Sequence, residues 1–120
     1  MSNGESAALA RVAAKAADEK LAAEIVVLDV GEVLGICDYF VIASARNVPQ
    51  VKAVVDEIEM QINLQVGEDP IRDEGRNERH WVLLDYGDVV VHVFLEEERE
   101  YYRLDRLYGD VDQLAWQSTV

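Results

Sequence analysis

The sequence predicts a single α/β domain, a mixed sheet covered by helices. Three observations carry that expectation. The chain has 120 residues and half are hydrophobic, which suits one domain with one core. Short β-branched runs alternate with segments of helical period. Residues 80–94, HWVLLDYGDVVVHVF, place two strand-forming runs around a Tyr-Gly pair, the pattern of a hairpin with a two-residue loop.

The elements follow in order. Met1 to Glu5 is polar and reads as a frayed end, so residues 1–6 form a flexible N-terminus. From about Ser6 to Glu24 the sequence is Ala-rich, with Leu9, Val12, Ala13, Ala16, Ala17 and Leu21 at helical spacing. Ser6 is placed to cap this amphipathic helix, whose packing face is small. Residues 24–31, EIVVLDVG, are too short for a helix and read as a buried strand. Residues 38–45 are a second strand. Asn47 then caps a helix, Pro49 fits its first turn, and Gln50 can close a capping box. Val51, Val54, Val55, Ile58, Ile62 and Val66 share one face of it, and Gly67 ends it. Pro70 to Glu74 is a short edge strand and Gly75 to Arg79 a polar loop. After the hairpin, Glu96 to about Leu107 reads as a last helix with acidic residues in its first turn. Tyr101, Leu104 and Tyr108 lie at helical spacing along it. Residues 110–120 are a C-terminal tail.

Within the hairpin, a Tyr86-Gly87 loop sets Asp85 opposite Asp88, Leu84 opposite Val89, Leu83 opposite Val90, Val82 opposite Val91 and Trp81 opposite His92. One face is aliphatic, and Val82, Leu84, Val89, Val91 and Val93 should be buried. The other face carries Trp81, Leu83, Val90 and His92. Like charges facing across a hairpin destabilise it, so the Asp85–Asp88 opposition needs a reason. Either Asp85 accepts backbone hydrogen bonds in the turn, or a partner Lys or Arg docks at the two carboxylates. Beside them Trp81, Tyr86 and Tyr101 are residue types enriched at interface hot spots, and equally ordinary core residues.

Charge narrows the partners. The net charge is −13, from 24 acidic and 11 basic residues. Nucleic-acid binding draws on neutralised phosphates, so little direct nucleic-acid contact is expected. An anionic membrane surface is equally disfavoured, and no run approaches the length of a membrane span. A basic protein partner gains from the field, although acidity alone also gives solubility. Cys37 is the only cysteine and there are two histidines, which excludes an intrachain disulfide, disfavours zinc and fits a reduced, cytoplasmic setting.

Catalytic patterns are missing. No nucleophile elbow and no phosphate-binding glycine loop occur. Asp38 at a strand start suggests the metal-binding carboxylates of nucleotidyl transferases, but the alternate position is Phe40, which cannot ligate. The chain therefore reads as a non-enzyme without metal or cofactor, and His92 as a packed, hydrogen-bonded histidine.

The ordered residues CDYFVIASA (37–45), Gln50-Val51, Asp73-Glu74-Gly75, WVLLDYGDVVVHVF (81–94) and Glu98-Arg99-Glu100-Tyr101-Tyr102 with Leu104 and Leu107 resemble the Iojap (RsfS) family of ribosomal silencing factors. The resembling domain spans residues 7–109. The resemblance implies a mixed five-stranded sheet with flanking helices, a topology like that of nucleotidyl transferases without their catalytic residues. It also implies binding to the large ribosomal subunit through ribosomal protein L-fourteen. Occupying that face blocks joining of the small subunit and represses translation when nutrients run short. Members are often homodimers when free. The partner-binding residues expected here are Trp81, Asp85, Tyr86, Asp88 and Tyr101. Two departures from the family pattern stand out: Cys37 replaces the usual Ser, and Ala45 to Pro49 replaces a Gly-Thr-Ser loop. Two other functions fit the residues: a residual nucleotidyl transferase, or an acidic adaptor for another basic protein.

Overall fold

The structure, a computed structural model, describes residues 3–117. Among these described residues ten elements run α1 (Asn3–Glu19), β1 (Ala23–Asp29), α2 (Gly31–Leu34), β2 (Tyr39–Ala45), α3 (Val48–Val66), β3 (Arg72–Glu74), β4 (Trp81–Asp85), β5 (Val89–Leu95), α4 (Glu96–Tyr102) and α5 (Leu104–Leu107). The five strands form one sheet in the order β1-β2-β5-β4-β3. Only β2 and β5 pair in parallel; the other pairs are antiparallel. The mixed sheet flanked by helices is as expected.

Helices α1 and α3 cover one face of the sheet. The alanines of α1 (Ala10, Ala13, Ala14, Ala17) are fully buried, which lets α1 approach closely. Val51, Val54, Val55, Ile58 and Ile62 of α3 are buried with them, as are Val82, Leu84, Val89, Val91 and Val93 of the hairpin. The cap of α3 forms as read: Asn47 Oδ1 accepts from the Gln50 amide at 2.9 Å. The return bond reaches one residue further back than a capping box, because Gln50 Oε1 accepts from the Arg46 amide at 2.8 Å. The Gln50 side-chain amide also donates to the carbonyls of Lys20 and Leu21, both at 3.1 Å, and so ties α3 to the end of α1. Gly67 closes α3 in the left-handed conformation.

Four expectations need correction. Helix α1 begins at Asn3, so Ser6 is inside it rather than capping it; its Oγ donates to Asp38 Oδ2 at 2.8 Å. Strand β1 is an edge strand, with only Val27 and Leu28 buried. Its outer side is covered by the chain's own tail: Asp29 donates to the Asp112 carbonyl, and Leu114 donates to that of Val27. The Trp116 indole adds a bond to the Ile25 carbonyl at 3.3 Å. The last helix breaks at Arg103, whose φ of 45° is left-handed, giving α4 and α5.

The fourth correction is the hairpin register. Asp85 pairs with Val90, Leu84 with Val91, Leu83 with His92, Val82 with Val93 and Trp81 with Phe94. The loop is Gly87-Asp88, closed by the Tyr86 amide on the Val89 carbonyl at 2.9 Å. The register therefore differs by two residues from the sequence reading, and a shift of two leaves every side chain on its face. Asp85 and Asp88 do not oppose each other. Gly87, with φ 92°, takes the first loop position, the placement a II′-type loop favours.

Candidate functional site: the half-covered face of the sheet

The second face of the sheet is only partly covered. Helices α4 and α5 and the chain to Val111 pack over Leu28, Ile42 and Phe94. They are held there by Arg99, whose side chain is 2% exposed. Its guanidinium donates to Ser44 Oγ at 2.7 Å and pairs with Asp105 at 3.4 Å and Glu24 at 3.8 Å. A charge buried this deeply is tolerated only with such partners. Beyond Tyr108, whose ring meets Phe40 edge-on at 5.5 Å, the cover runs out. Phe40 of β2, Leu83 of β4 and Val90 of β5 are left half-buried. Ile36 beside them is 82% exposed. These residues line an open groove of about 400 Å³, with His92 and Cys37 in its wall and Arg72, Glu74 and Asp85 at its rim.

The groove has a rigid floor. Trp81 Nε1 donates to His92 Nδ1 at 3.1 Å. The two side chains meet diagonally, since Leu83 is the residue facing His92. This is the packed, hydrogen-bonded histidine expected from sequence. Because Nδ1 accepts, the neutral ring carries its proton on Nε2, which has no partner among the described residues. Burial pulls the His92 pKa down to about 4. Phe40 meets the His92 ring edge-on at 4.7 Å, and Trp81 lies 4.6 Å from Phe94 and 4.8 Å from Tyr102. Burial, with Asp38, Asp85 and Asp88 adding repulsion, pushes the Cys37 thiol up to about 11, so it stays protonated and inert at neutral pH.

The five residues expected to meet a partner are scattered. Trp81 and Asp85 lie on the half-covered face, at opposite ends of β4. Asp85 is already engaged: Oδ1 accepts from the Gly87 amide at 2.8 Å and Oδ2 from Arg72 Nε at 3.0 Å. Asp88 is exposed at the hairpin tip. Tyr101, 81% exposed, stands on α4 with its ring edge-on to Tyr102 at 4.9 Å. Tyr86 is a correction: it is 5% exposed, packs in the core beneath α1 and α3, and offers nothing to a partner on the groove face. Burial, with Glu59 and Asp69 nearby, raises its phenol pKa.

Leu83 and Val90 lie on the mixed hairpin face, whose apolar surface the sequence suggests a small domain does not fully cover; sequence reasoning missed Phe40 and Ile36 as surface. The signal was present in Leu83 and Val90, which alternate with the buried hairpin residues, while residues 96–107 supply too few apolar side chains to cover the whole second face. Asp38, the one position suggesting a nucleotidyl transferase, accepts a hydrogen bond from Ser6. Among the described residues, no group of three His, Cys, Asp or Glu side chains could hold a metal ion. No described helix is long and apolar enough to cross a membrane.

The family model described as ribosomal silencing factor during starvation matches residues 3–119. The chain belongs to the ribosomal silencing factor family. It is 43% identical over 100 residues to the ribosomal silencing factor RsfS of Bacillus subtilis, covering 83% of this chain and 84% of that protein. It is 37% identical over 120 residues to the RsfS of Halalkalibacterium halodurans, covering 100% of this chain and 99% of that protein. A crystal structure of a Chromobacterium violaceum protein superposes with a TM-score of 0.80 at 28% identity, covering 93% of this chain and 92% of that one. The family has a ribosome-associated silencing role.

Proposed function

We propose that this chain silences ribosomes by binding the large subunit through ribosomal protein L-fourteen and sterically blocking the small subunit. Translation falls under nutrient limitation as a result. The observation that carries this reading is the open groove over Phe40, Leu83 and Val90, in a chain of this family. A small domain rarely leaves contiguous apolar side chains on a rigid sheet uncovered unless a partner covers them. The net charge of −13 supports a basic protein surface over bare ribosomal RNA, since phosphate repels the same field. Trp81 contributes at the end of β4 next to α4, where its ring meets Tyr102, and Tyr101 as an exposed ring on α4. Asp85 acts as the anchor of the turn and of Arg72 rather than as a free carboxylate.

The test mixes purified ribosomal subunits with the chain and follows subunit joining by light scattering and gradient sedimentation. The chain should co-sediment with the large subunit and lower the yield of joined ribosomes. Leu83→Glu, which places a charge in the groove without touching the opposite core, should lose both effects while remaining folded. A wild-type chain that sediments with neither subunit, or a Leu83→Glu variant that inhibits as well as wild type, refutes the proposal. Recovery from lysate of mainly non-ribosomal basic proteins would favour a general acidic adaptor instead.

A further inference from the structure

A second cavity opens on the same face, at the other end of β4. It is a notch of about 230 Å³ lined by Gly75, Glu78, His80, Trp81, Glu98 and Tyr102. Three features build it. Gly75 has φ +87°, and a Cβ there would lie 1.9 Å from the Trp81 carbonyl oxygen. Only glycine lets the loop lie directly on β4 and bring Glu78 up to Trp81. The Trp81 ring is fixed by its bond to His92 and by Phe94. Glu98 and Tyr102 flank Arg99 on α4, and the burial of Arg99 fixes the helix that carries them.

The lining is chemically unbalanced. Neither Glu78 nor Glu98 is in an ion pair among the described residues. Arg76, Arg99 and Arg103 are each committed to other carboxylates, Arg76 to Glu59 and Asp73, Arg99 to Glu24 and Asp105, and Arg103 to Glu24, Glu100 and Asp105. The exposed Glu78 and the partly buried Glu98 thus share the notch with His80 and two aromatic rings, one of which, Tyr102, is 48% exposed. Aromatic rings attract cations through their quadrupole. A planar guanidinium both stacks on rings and forks onto a carboxylate, which an ammonium does less well. The notch is large enough for the end of one long side chain and too small for a folded segment.

The geometry points to the Glu78–Trp81–Glu98–Tyr102 notch as a receptor for one arginine side chain of the basic protein that occupies the neighbouring groove. This rests on the proposed function for the identity of the partner, and adds the chemistry by which that partner is read. The groove supplies apolar contact at one end of β4, and the notch supplies a charge-specific contact at the other. Together they fix the direction in which the partner lies.

The test measures large-subunit binding by wild type, Glu98→Gln, Tyr102→Leu and Glu97→Gln. Glu97 is exposed one residue away on α4, outside the notch, and its variant changes the net charge equally. Glu98→Gln and Tyr102→Leu should each bind about tenfold more weakly, the scale of a charge-assisted or desolvated cation–π contact. Glu97→Gln should stay within about twofold of wild type. Equal binding by Glu98→Gln and Glu97→Gln overturns the inference. Glu98→Gln is a near-isosteric change in a partly exposed side chain, so it decides the matter even if Tyr102→Leu unfolds. If wild type does not bind the large subunit at all, the proposed function fails and the notch is judged by itself. N-acetyl-argininamide should then shift the Trp81 indole resonance in wild type but not in Glu98→Gln, and the uncharged citrulline analogue should not shift it. No shift in wild type overturns the inference on that arm.

Discussion

Acid should destabilise this fold through one residue, His92, and the size of the effect follows from its surroundings. The imidazole is buried between Trp81 and Phe40 on the half-covered face, and burial lowers its pKa from 6.5 to about 4. Protonation would place a charge where no anion waits, and would turn Nδ1 from the acceptor of the Trp81 indole into a second donor. The folded chain therefore holds the ring neutral, while the unfolded chain takes up a proton below about pH 6.5. Stability contributed by the neutral ring is complete above pH 6.5 and is lost as pH falls toward 4, where the folded state also protonates and the loss levels off. Each pH unit of that gap is worth about 1.4 kcal/mol, so the total is roughly 3 kcal/mol. That is a large share of a small domain's stability. The assay is a subtraction. Urea unfolding of wild type and of His92→Gln is measured at intervals from pH 7.5 to 4, and the difference between them isolates the imidazole. The wild-type advantage should shrink by about 3 kcal/mol between pH 6.5 and 4. A difference constant across that range would show that His92 titrates normally in the folded state, and the argument from burial would fail.

Two further outcomes are expected. Gly75→Ala should cost roughly 2–4 kcal/mol, because it combines a left-handed backbone with a collision against β4. Gly67→Ala should cost only about 1 kcal/mol, since its φ is also positive but nothing lies within 4 Å; thermal unfolding of the two variants makes the comparison, and equal losses would remove the close approach as a cause. Asp85→Asn should lower stability by about 1 kcal/mol, losing the charge-assisted bonds to Gly87 and Arg72, whereas Asp88→Asn should leave it within about 0.5 kcal/mol. A double variant more stable than wild type would revive the like-charge opposition that the register removes.

Much of the fold is legible in the sequence because its signals are local. The run from Val51 to Ile62 has helical period, Asn47 and Gly67 bracket it, and nothing outside the segment overrides them. The hairpin faces are legible because alternation has period two, and an error of two residues in the loop leaves Val82, Leu84, Val89, Val91 and Val93 where they belong. That error came from treating Gly87 as the second loop residue. The deciding interaction, the Asp85 carboxylate on the Gly87 amide, is a side-chain bond that periodicity does not report. The break at Arg103 was hidden for a related reason. Tyr101 and Leu104 keep a helical spacing across it, while the left-handed turn brings Asp105 to Arg99. The site was only half legible. Trp81 was singled out by residue type, but exposure is a tertiary property, and the same reasoning put Tyr86 at the surface when its strand parity sends it into the core.

The placement of Arg99 links the stability of this fold to the surface it presents. A buried arginine stabilises a fold less than apolar packing of the same volume would, so its presence in α4 calls for a reason other than stability. It reaches from the helix to Ser44 at the end of β2 and to Glu24 at the start of β1, while Asp105 approaches from α5. Three other elements thus meet one guanidinium of α4, and none of those contacts survives if α4 slides along the sheet. An apolar residue would tolerate such sliding, since hydrophobic contact is non-directional. The hydrogen-bonding fork of arginine does not. Fixing α4 fixes where the cover over the second face stops, and so which of Trp81, Leu83 and Val90 remain available. The open strip then depends on where α4 is held as well as on how few apolar side chains residues 96–107 supply, and the directional bonds of Arg99 are the means by which this sequence specifies that position.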